Sequence, residues 1–211
     1  MIVPEIFYIF VDPSRIITQH NLQITKQFIS AGYGSLGIDS KFDEKYKKGE
    51  VDYVPYELKE SDLLMLSPYY WSAINDIRIE TDAEIVRRER FKFLPSRLSC
   101  IYAFGTFEDC EIASERYDWD LNTVKMFKLI SNDPYVRIAK VNMEIVSLAR
   151  DFYKNTSMDW ENREYIWIHY WSGNGNIKMA GPSNEVLGLR KMYDSDLLYE
   201  YLIEGALKLI E

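Results

Sequence analysis

The apolar residues of this chain come in short blocks separated by polar turns, a pattern typical of proteins that combine strands with helices. Residues 5–11 form the first block, Glu-Ile-Phe-Tyr-Ile-Phe-Val, which ends at Asp12-Pro13 and therefore predicts a strand. Residues 99–104 form another block, which predicts a buried strand ending at the turn residue Gly105.

Two further pairs of strands are predicted from similar blocks. Residues 124–130 and 135–141 predict strands joined by the turn at residues 131–134, Ser-Asn-Asp-Pro. Residues 199–210 contain a short apolar strand, the turn residue Gly205 and a second apolar strand. We interpret this stretch as a hairpin that carries the carboxylate of Glu200 at its start.

Helices are predicted where a polar capping residue precedes apolar residues at helical spacing. Thr106 predicts the start of a helix over residues 107–116, and Asn142 predicts another whose apolar side falls within residues 145–152. Residues 159–172 fit either a strand with alternating faces or a helix that ends at Gly173. We favour the helix, because strands rarely run for so many residues.

The charged stretch before Pro95 also predicts a helix. Residues 81–84, Thr-Asp-Ala-Glu, form a capping box, and Pro95 limits the helix to residue 94. The three arginines of this helix are expected on a solvated face, with phosphate binding as the alternative; they are Arg87, Arg88 and Arg90.

The region between the first strand and that helix has a weaker pattern. Ser14 or Thr18 predicts the start of a short helix that extends up to Gly32. Residues 32–60 are polar and irregular, and we interpret them as a mobile binding loop or lid, with a solvated surface loop as the alternative. Residues 63–66, Leu-Leu-Met-Leu, form a short run that predicts burial.

The composition is that of a packed globular protein. The 211 residues are 47% hydrophobic and 15% aromatic, which supplies a sizeable core, and we expect a single domain over residues 1–211. The net charge of −8 argues against general binding of nucleic acids or anionic membranes, since such surfaces need clustered Lys and Arg. No uncharged run approaches the roughly 18 apolar residues of a membrane span.

The few cysteines and histidines limit metal and redox chemistry. Cys100 and Cys110 lack metal-ligand spacing and are predicted to be buried free thiols, with a disulfide as the alternative. Free thiols indicate a reducing compartment, and the first residues lack a signal-peptide pattern, so we expect a cytoplasmic protein. His20 and His169 are the only histidines, and no metal site is expected.

The common catalytic motifs are absent from the sequence. The chain has no Walker loop, no G-x-G-x-x-G, no G-x-S-x-G and no H-E-x-x-H. Glu200 is the candidate that remains, because a strand needs no acid at its start, whereas a site that binds a sugar hydroxyl or stabilises a cationic transition state does. A solvated strand end is the alternative, and Glu204 and Glu185 are the rival acids.

Three segments of the chain carry a family resemblance. They are residues 95–104, Pro-Ser-Arg-Leu-Ser-Cys-Ile-Tyr-Ala-Phe, with the acidic helix start at residues 106–110; residues 170–173, Tyr-Trp-Ser-Gly; and residues 199–210. These segments resemble the DUF2441-type family of uncharacterised bacterial and phage proteins. The order of elements also resembles small ADP-ribosyltransferase-like domains, which begin with a Tyr-His strand, continue through a Ser- or Tyr-bearing strand and a helix, and end on a strand with the catalytic Glu.

The resemblance implies an α+β fold in which two small, mainly antiparallel sheets form a cleft with helices packed outside. It implies a bacterial or phage effector, toxin or defence-related protein that transfers ADP-ribose from NAD to a macromolecular target, either protein or nucleic acid. In that scheme Glu200 is the catalytic acid. Its carboxylate accepts a hydrogen bond from the nicotinamide ribose and stabilises the cation left as nicotinamide departs.

The resemblance also implies cofactor contacts by four residues, namely Tyr8, Arg97, Ser99 and Tyr102. Arg97 would bind the pyrophosphate or the adenine ribose, and Ser99 would order the catalytic acid. Arg97 has a structural alternative, an ion pair with a carboxylate such as Asp109. Tyr102 would stack on nicotinamide, and its alternative is a place in the core.

The first strand departs from the transferase pattern. Ile9 stands beside Tyr8 where His or Arg is expected, and Arg15 would have to substitute. The alternative function is therefore a non-catalytic binding or interaction protein on the same scaffold. Aromatic residues near element ends agree with it, with core packing as their other explanation; these are Tyr69, Tyr70, Trp71, Tyr170 and Trp171. A hydrolase that uses paired carboxylates is a third hypothesis without a supporting motif.

Overall fold

The computed structural model describes residues 3–53, 76–130, 133–155, 159–183 and 190–210. Within these ranges the chain forms nine strands and seven α-helices. The strands are β1 (Ile6–Phe10), β2 (Gln27–Ile29), β3 (Ile101–Ala103), β4 (Val124–Leu129), β5 (Arg137–Asn142), β6 (Lys178–Ser183), β7 (Arg190–Asp194), β8 (Tyr199–Glu204) and β9 (Ala206–Leu209). The helices are α1 (Ile16–His20), α2 (Ala31–Gly34), α3 (Ser40–Lys48), α4 (Ile77–Arg90), α5 (Phe107–Tyr117), α6 (Glu144–Asn155) and α7 (Trp160–Ser172).

The strands form antiparallel sheets of four, three and two strands. The orders are β1-β4-β9-β2, β3-β8-β5 and β6-β7. The two larger sheets touch through one isolated antiparallel bridge between Tyr8 and Phe104, whose backbone hydrogen bonds measure 2.9 and 2.8 Å. This arrangement confirms the predicted α+β fold with small antiparallel sheets, and it adds the two-stranded sheet, which the sequence pattern did not predict.

Three helices cover the three-stranded sheet and form the largest hydrophobic cluster with it. Residues of α4, α6 and α7 meet β5 and β8 there, and Ile145, Ile166, Trp167 and Leu202 are fully buried. A second cluster, with Phe7, Phe127 and Leu207 at its centre, joins the four-stranded sheet to β3 and β8. The cores on both sides of β8 explain why this strand is buried on both faces.

The predicted ends of three helices are confirmed. Thr106 Oγ accepts a hydrogen bond from Asp109 N at 3.1 Å and begins α5. Asn142 Oδ1 accepts from Glu144 N at 3.2 Å ahead of α6. Residues 160–172 are a helix, as favoured, and it ends at Gly173 with a φ of 66°.

The two cysteines are buried free thiols, as predicted. Cys100 precedes β3, and Cys110 lies in the first turns of α5. Burial raises the pKa of the Cys110 thiol to about 12, and it also raises the pKa of the Cys100 thiol. Both groups therefore stay protonated at neutral pH and behave as small apolar side chains.

The predicted C-terminal hairpin is wrong, although both of its strands exist. β8 lies in the three-stranded sheet and β9 in the four-stranded sheet, so the chain changes sheet at Gly205. Ser30 fixes this crossover, since its N–H donates to Gly205 O and its Oγ accepts from Gly205 N. β8 already pairs with β3 on one edge and with β5 on the other, so it has no free edge that β9 could join as a hairpin partner.

The two strands predicted on either side of residues 131–134 are present as β4 and β5, and they lie in different sheets, because β4 pairs with β1 and β9. The region before α4 is more regular than predicted. In place of a helix up to Gly32, α1 is followed by a π-helical turn, Asn21–Thr25, and then by β2. Lys26, with a φ of 56°, separates these two elements.

The irregular loop predicted at residues 32–60 contains a helix. α3 begins with a hydrogen bond from Lys41 N to Asp39 Oδ1, and it buries Phe42 and Tyr46. These two aromatic rings occur at helical spacing within a polar run, which hides the pattern. Residues 54–60, the apolar run at 63–66 and Tyr69, Tyr70 and Trp71 lie outside the described residues.

The capping box at residues 81–84 is also wrong, because α4 already begins at Ile77. Thr81 and Glu84 are therefore interior residues of the helix. The Glu84 carboxylate instead accepts hydrogen bonds from Arg87 and Ser96. The same helix buries Glu80 and Asp82, which gives it a charged sequence but a largely buried surface.

Gly49 should tolerate alanine much less well than Gly37. Both glycines have positive φ, 72° and 85°, so both substitutions strain the backbone. A Cβ at Gly49 would lie 2.3 Å from Lys92 O, whereas a Cβ at Gly37 would meet nothing within 4 Å. We expect Gly49→Ala to lose about 1–3 kcal/mol more stability in urea unfolding than Gly37→Ala, the range for overpacking. Equal losses would show that residues 49 and 92 separate easily.

Candidate functional site

A cleft of about 780 Å³ is lined by residues of both larger sheets and includes Phe104 of the Tyr8–Phe104 bridge. Its size is typical of small-molecule sites. Its lining comes from the end of β1 and the residues that follow it, from β3 and β8, from the end of α5 and from the first half of α6. The lining residues include Phe10, Asp12, Arg15, Arg97, Tyr102, Phe104, Tyr117, Trp119, Met143, Ser147, Arg150 and Glu200.

Arg97 and Glu200 lie together in the cleft lining. Glu200 is the second residue of β8, just ahead of residues 201–203, which pair with β3. Arg97 Nη1 is 3.3 Å from Glu200 Oε1. The two residues are 4% and 7% exposed, so this is a buried ion pair whose interaction is weakly screened by solvent.

A second carboxylate and a tyrosine complete the surroundings of Arg97. Its Nε and Nη2 donate to the two oxygens of Glu80 at 2.8 and 3.0 Å. Its Nη1 also donates to the hydroxyl of Tyr170 at 2.5 Å, and that hydroxyl donates to Glu200 Oε1 at 3.2 Å. The predicted alternative partner, Asp109, instead interacts with the Thr106 cap.

The buried position changes the acidity of Glu200. Burial raises the pKa of its carboxyl above the ordinary value of 4.5, and Glu80 adds to the increase. The positive charge of Arg97 and the hydrogen bond from Tyr170 oppose this rise without cancelling it. A carboxyl with a raised pKa in a cleft is suited to proton exchange, which makes Glu200 a candidate functional group.

The other end of the cleft is aromatic. The Trp119 ring lies 5.1 Å from Phe10 and 5.3 Å from Tyr117, measured between centroids. Trp119 is 40% exposed, so part of its face is open to a ligand. The hydroxyl of Tyr117 donates to Glu144 at 2.9 Å and lies 3.0 Å from Ser147 Oγ. This end offers flat apolar faces and hydroxyl groups.

Two further arginines lie along the cleft. Arg15 pairs with Asp12 at 3.1 Å, and Arg150 pairs with Asp76 at 2.8 Å. Both pairs are partly exposed, so exchange of a carboxylate for a ligand phosphate would cost little. The guanidinium of Arg97, in contrast, is committed to buried carboxylates.

The structure brings three of the five predicted site residues to the cleft. Arg97, Tyr102 and Glu200 line it, and the Tyr102 hydroxyl donates to Arg97 O at 2.7 Å. Tyr8 is not in the lining; its ring packs against Phe107 at 5.9 Å.

Ser99 is also not among the residues that line the cleft, and its hydroxyl donates to Glu204. Glu204 is fully buried, accepts from Ser96 N at 3.1 Å and lies 3.6 Å from Arg137 Nη1. The acid that Ser99 contacts is thus the second carboxylate of β8, four residues after Glu200. The rival acid Glu185 lies outside the described residues.

The prediction of three solvated arginines on α4 is wrong for Arg87. Its Nε and Nη2 donate to Glu84 at 2.9 and 2.7 Å, and the residue is 1% exposed. Arg88 and Arg90 form partly exposed pairs with Asp52 and Glu164. The aromatic residues Tyr170 and Trp171, considered for an interface, are buried in the core.

Sequence reasoning missed Glu80 and Tyr170 as neighbours of Glu200. Both are far from it in sequence, and Glu80 lies in a stretch whose charges indicate a solvated helix. One signal was present, because Glu80 and Glu84 recur at the four-residue spacing of one helix face. Among the described residues, no cluster of His, Cys, Asp and Glu has the arrangement of a metal site, and no helix is long and apolar enough to cross a membrane.

The fold and the cleft define an α+β protein with small antiparallel sheets and a buried arginine–glutamate pair in the lining of its cleft. Residues 11–187 match the family described as "Protein of unknown function (DUF2441)", and the chain belongs to this family. The matched range contains Arg97, Ser99 and Tyr102, whereas Tyr8 and Glu200 lie outside it. Among curated proteins no significant match was found.

Proposed function

We propose that this protein transfers ADP-ribose from NAD to a macromolecular target and that Glu200 acts at the nicotinamide ribose. The observation that carries the proposal is the position of Glu200 in a cleft lined by residues of both larger sheets, together with Arg97 and Tyr102. The resemblance implies an acid on a late strand and a cleft beside two small sheets; Glu200 on β8 and the cleft lined by residues of β1, β3 and β8 support the proposal.

The cleft residues fit the chemical groups of NAD. The volume of about 780 Å³ lies in the upper part of the range for small-molecule and cofactor sites. The aromatic faces of Tyr102 and Trp119 suit stacking on flat rings. Since Arg97 is committed to Glu80 and Glu200, the phosphate contacts fall to Arg15 and Arg150.

The reaction places a specific demand on Glu200. The bond between ribose C1′ and nicotinamide breaks with its electron pair on nicotinamide, and a nucleophile of the target forms a new bond to C1′ and releases its proton. The ionised carboxylate accepts a hydrogen bond from a ribose hydroxyl and stabilises the positive charge that develops on the ribose. Turnover is then expected to increase as the pH rises through the raised pKa of Glu200.

Two features favour a second function. The guanidinium of Arg97 is already paired with Glu80 and Glu200, and the chain departs from the transferase pattern. Tyr8 and Ser99 do not line the cleft, and Ile9 stands where the pattern has His. A ligand-binding or interaction protein on the same scaffold needs none of these groups for turnover. Under this alternative the aromatic end of the cleft, around Phe10 and Trp119, holds a ligand that is not transformed.

The test is NAD consumption together with transfer of label from adenylate-labelled NAD to protein and nucleic-acid acceptors. We expect Glu200→Gln to reduce both rates by about 100-fold or more, the effect of removing one charge-stabilising group from a transition state. Asp82→Asn is the matched control, since it also removes the charge of a buried carboxylate, which is bound by Tyr153 and Arg163 and lies outside the cleft lining.

The outcomes separate the two functions. Equal turnover by wild type and Glu200→Gln would exclude the catalytic role of Glu200. NAD binding by calorimetry without turnover on any acceptor would support the binding protein. Thermal unfolding of both variants checks that each remains folded at the assay temperature, so that a loss of turnover is assigned to chemistry.

A further inference from the structure

Two carboxylates on α4 face two carboxylates on β8 across residues 96–99. Glu80 and Glu84 are four residues apart and therefore lie on one face of the helix. Glu200 and Glu204 are also four residues apart, and this even spacing places them on one face of the strand. Each helix carboxylate is linked to one strand carboxylate through a residue of the intervening segment.

Ser96 forms one of these two links. Its Oγ donates to Glu84 Oε2 at 2.9 Å, and its N–H donates to Glu204 Oε1 at 3.1 Å. Its Oγ also accepts from Leu98 N at 3.2 Å, so the serine hydroxyl organises the turn that follows. Ser96 is fully buried. Arg97, the next residue, forms the second link, between Glu80 and Glu200.

Glu204 and Glu84 also fix the backbone of the neighbouring residues. Ser99 Oγ donates to Glu204 Oε1, the oxygen that also accepts from Ser96 N. Arg87, bound to Glu84 through two hydrogen bonds, donates through Nη1 to the carbonyl oxygens of Lys92 and Leu94, both at 3.1 Å. The backbone on either side of Arg97 is thus fixed by charge-assisted hydrogen bonds in a buried setting.

We propose that Ser96 is a positioning residue for the Arg97–Glu200 pair, and that its attachment to Glu84 and Glu204 determines where the Arg97 guanidinium meets Glu200. Ser99 supports the same placement from the Glu204 side. The proposal concerns the pair itself and does not depend on NAD being the ligand of the cleft. It also accounts for the contact of Ser99 with Glu204, which the transferase pattern does not explain.

Loss of the attachment of Ser96 is expected to change the titration of the Glu200 carboxyl. Arg97 and Tyr170 favour the ionised carboxylate, whereas burial and Glu80 favour the protonated one. If Ser96 no longer fixes the segment, the guanidinium approaches Glu200 less closely and the ionised form loses its main support. The midpoint of the Glu200 titration then moves to higher pH. A serine that only contributes to stability would leave this midpoint unchanged.

The experiment is a carbon-13 NMR titration of the glutamate side-chain carboxyls, with the Glu200 signal identified by its loss in Glu200→Gln. Ser96→Ala and Ser99→Ala each replace one uncharged side chain with another, so the net charge of the protein does not change. Ser195→Ala is the matched control, because Ser195 is also buried and its Oγ accepts from Ile177 N at 2.9 Å, away from residues 96–99. Thermal unfolding is measured for all three variants.

We expect the titration midpoint of Glu200 to move to higher pH in Ser96→Ala and Ser99→Ala and to stay at the wild-type value in Ser195→Ala. The proposal is overturned if all three variants keep the wild-type midpoint, or if Ser195→Ala moves it as far as the others. Should Ser96→Ala not fold, Ser96→Cys replaces it, since a thiol fills the site but is a much weaker donor to Glu84 than the serine hydroxyl. No step of the experiment uses NAD, so its result can be interpreted even if the proposed transferase activity fails.

Discussion

Replacing Arg97 with methionine should cost about 3–5 kcal/mol of folding stability, the range for removing one partner of a buried ion pair. The substitution leaves the carboxylates of Glu80 and Glu200 buried without their shared cation. It also removes the donor that faces the hydroxyl of Tyr170. Chemical denaturation at pH 7, with the midpoint and slope measured for each variant, gives the loss directly.

A triple variant provides the control for this prediction. Arg97→Met combined with Glu80→Gln and Glu200→Gln removes the charges of both carboxylates together with the cation. Replacement of a whole buried ion network by uncharged groups is often close to neutral, so we expect the triple variant to be more stable than Arg97→Met alone. If the single and triple variants were equally unstable, packing of the arginine side chain would be the cause.

The loss in Arg97→Met should also depend on pH. Without Arg97, the pKa of Glu200 rises further above its ordinary value of 4.5, because the main opponent of burial is gone. A carboxyl whose pKa is higher in the folded state destabilises the fold as the pH rises through that folded-state pKa. The deficit relative to wild type is therefore expected to be smaller at pH 5 than at pH 8, and a pH-independent deficit would contradict the electrostatic cause.

The sequence was most informative where structure is set by local rules. The caps at Thr106 and Asn142, and the terminating Gly173, depend on hydrogen bonds within a few residues, so these helix boundaries follow from the pattern. Strand pairing depends on contacts far apart in sequence. The crossover at Gly205 could not be predicted, because its decisive partner is Ser30, near the other end of the chain.

The candidate site was predictable in part for a similar reason. Arg97, Tyr102 and Glu200 were selected by resemblance and position, and the cleft brings them together. The partners that set the chemistry of Glu200 were not predictable, because Glu80 belongs to a helix whose charges indicate a solvated surface. The many charged residues of this helix are misleading, since two of its carboxylates, Glu80 and Glu84, are buried against arginines that are themselves buried.

The second large loss of folding stability is expected on replacement of Arg87. The charged sequence of α4 predicts a solvated position for this arginine, which is in fact buried. Arg87→Met leaves the Glu84 carboxylate, 1% exposed, without its cation and removes the donors to the carbonyl oxygens of Lys92 and Leu94. We expect a loss of about 3–5 kcal/mol. The matched control is Arg90→Met on the same helix, where the pair with Glu164 is 2.6 Å long but the arginine side chain is 52% exposed.

The stability losses of Arg87→Met and Arg90→Met are expected to differ because the two ion pairs differ in their exposure to solvent. At Arg90, water replaces the lost ion pair and screens the remaining carboxylate, so a loss of at most about 1 kcal/mol is expected. At Arg87, the Glu84 carboxylate is shielded from solvent, and the segment leading to Ser96 and Arg97 loses one of its attachments. Urea unfolding of the two variants measures the contrast. Similar small losses in both would mean that Glu84 is protonated or rehydrated in Arg87→Met, and that helix α4 opens to solvent more readily than its burial indicates.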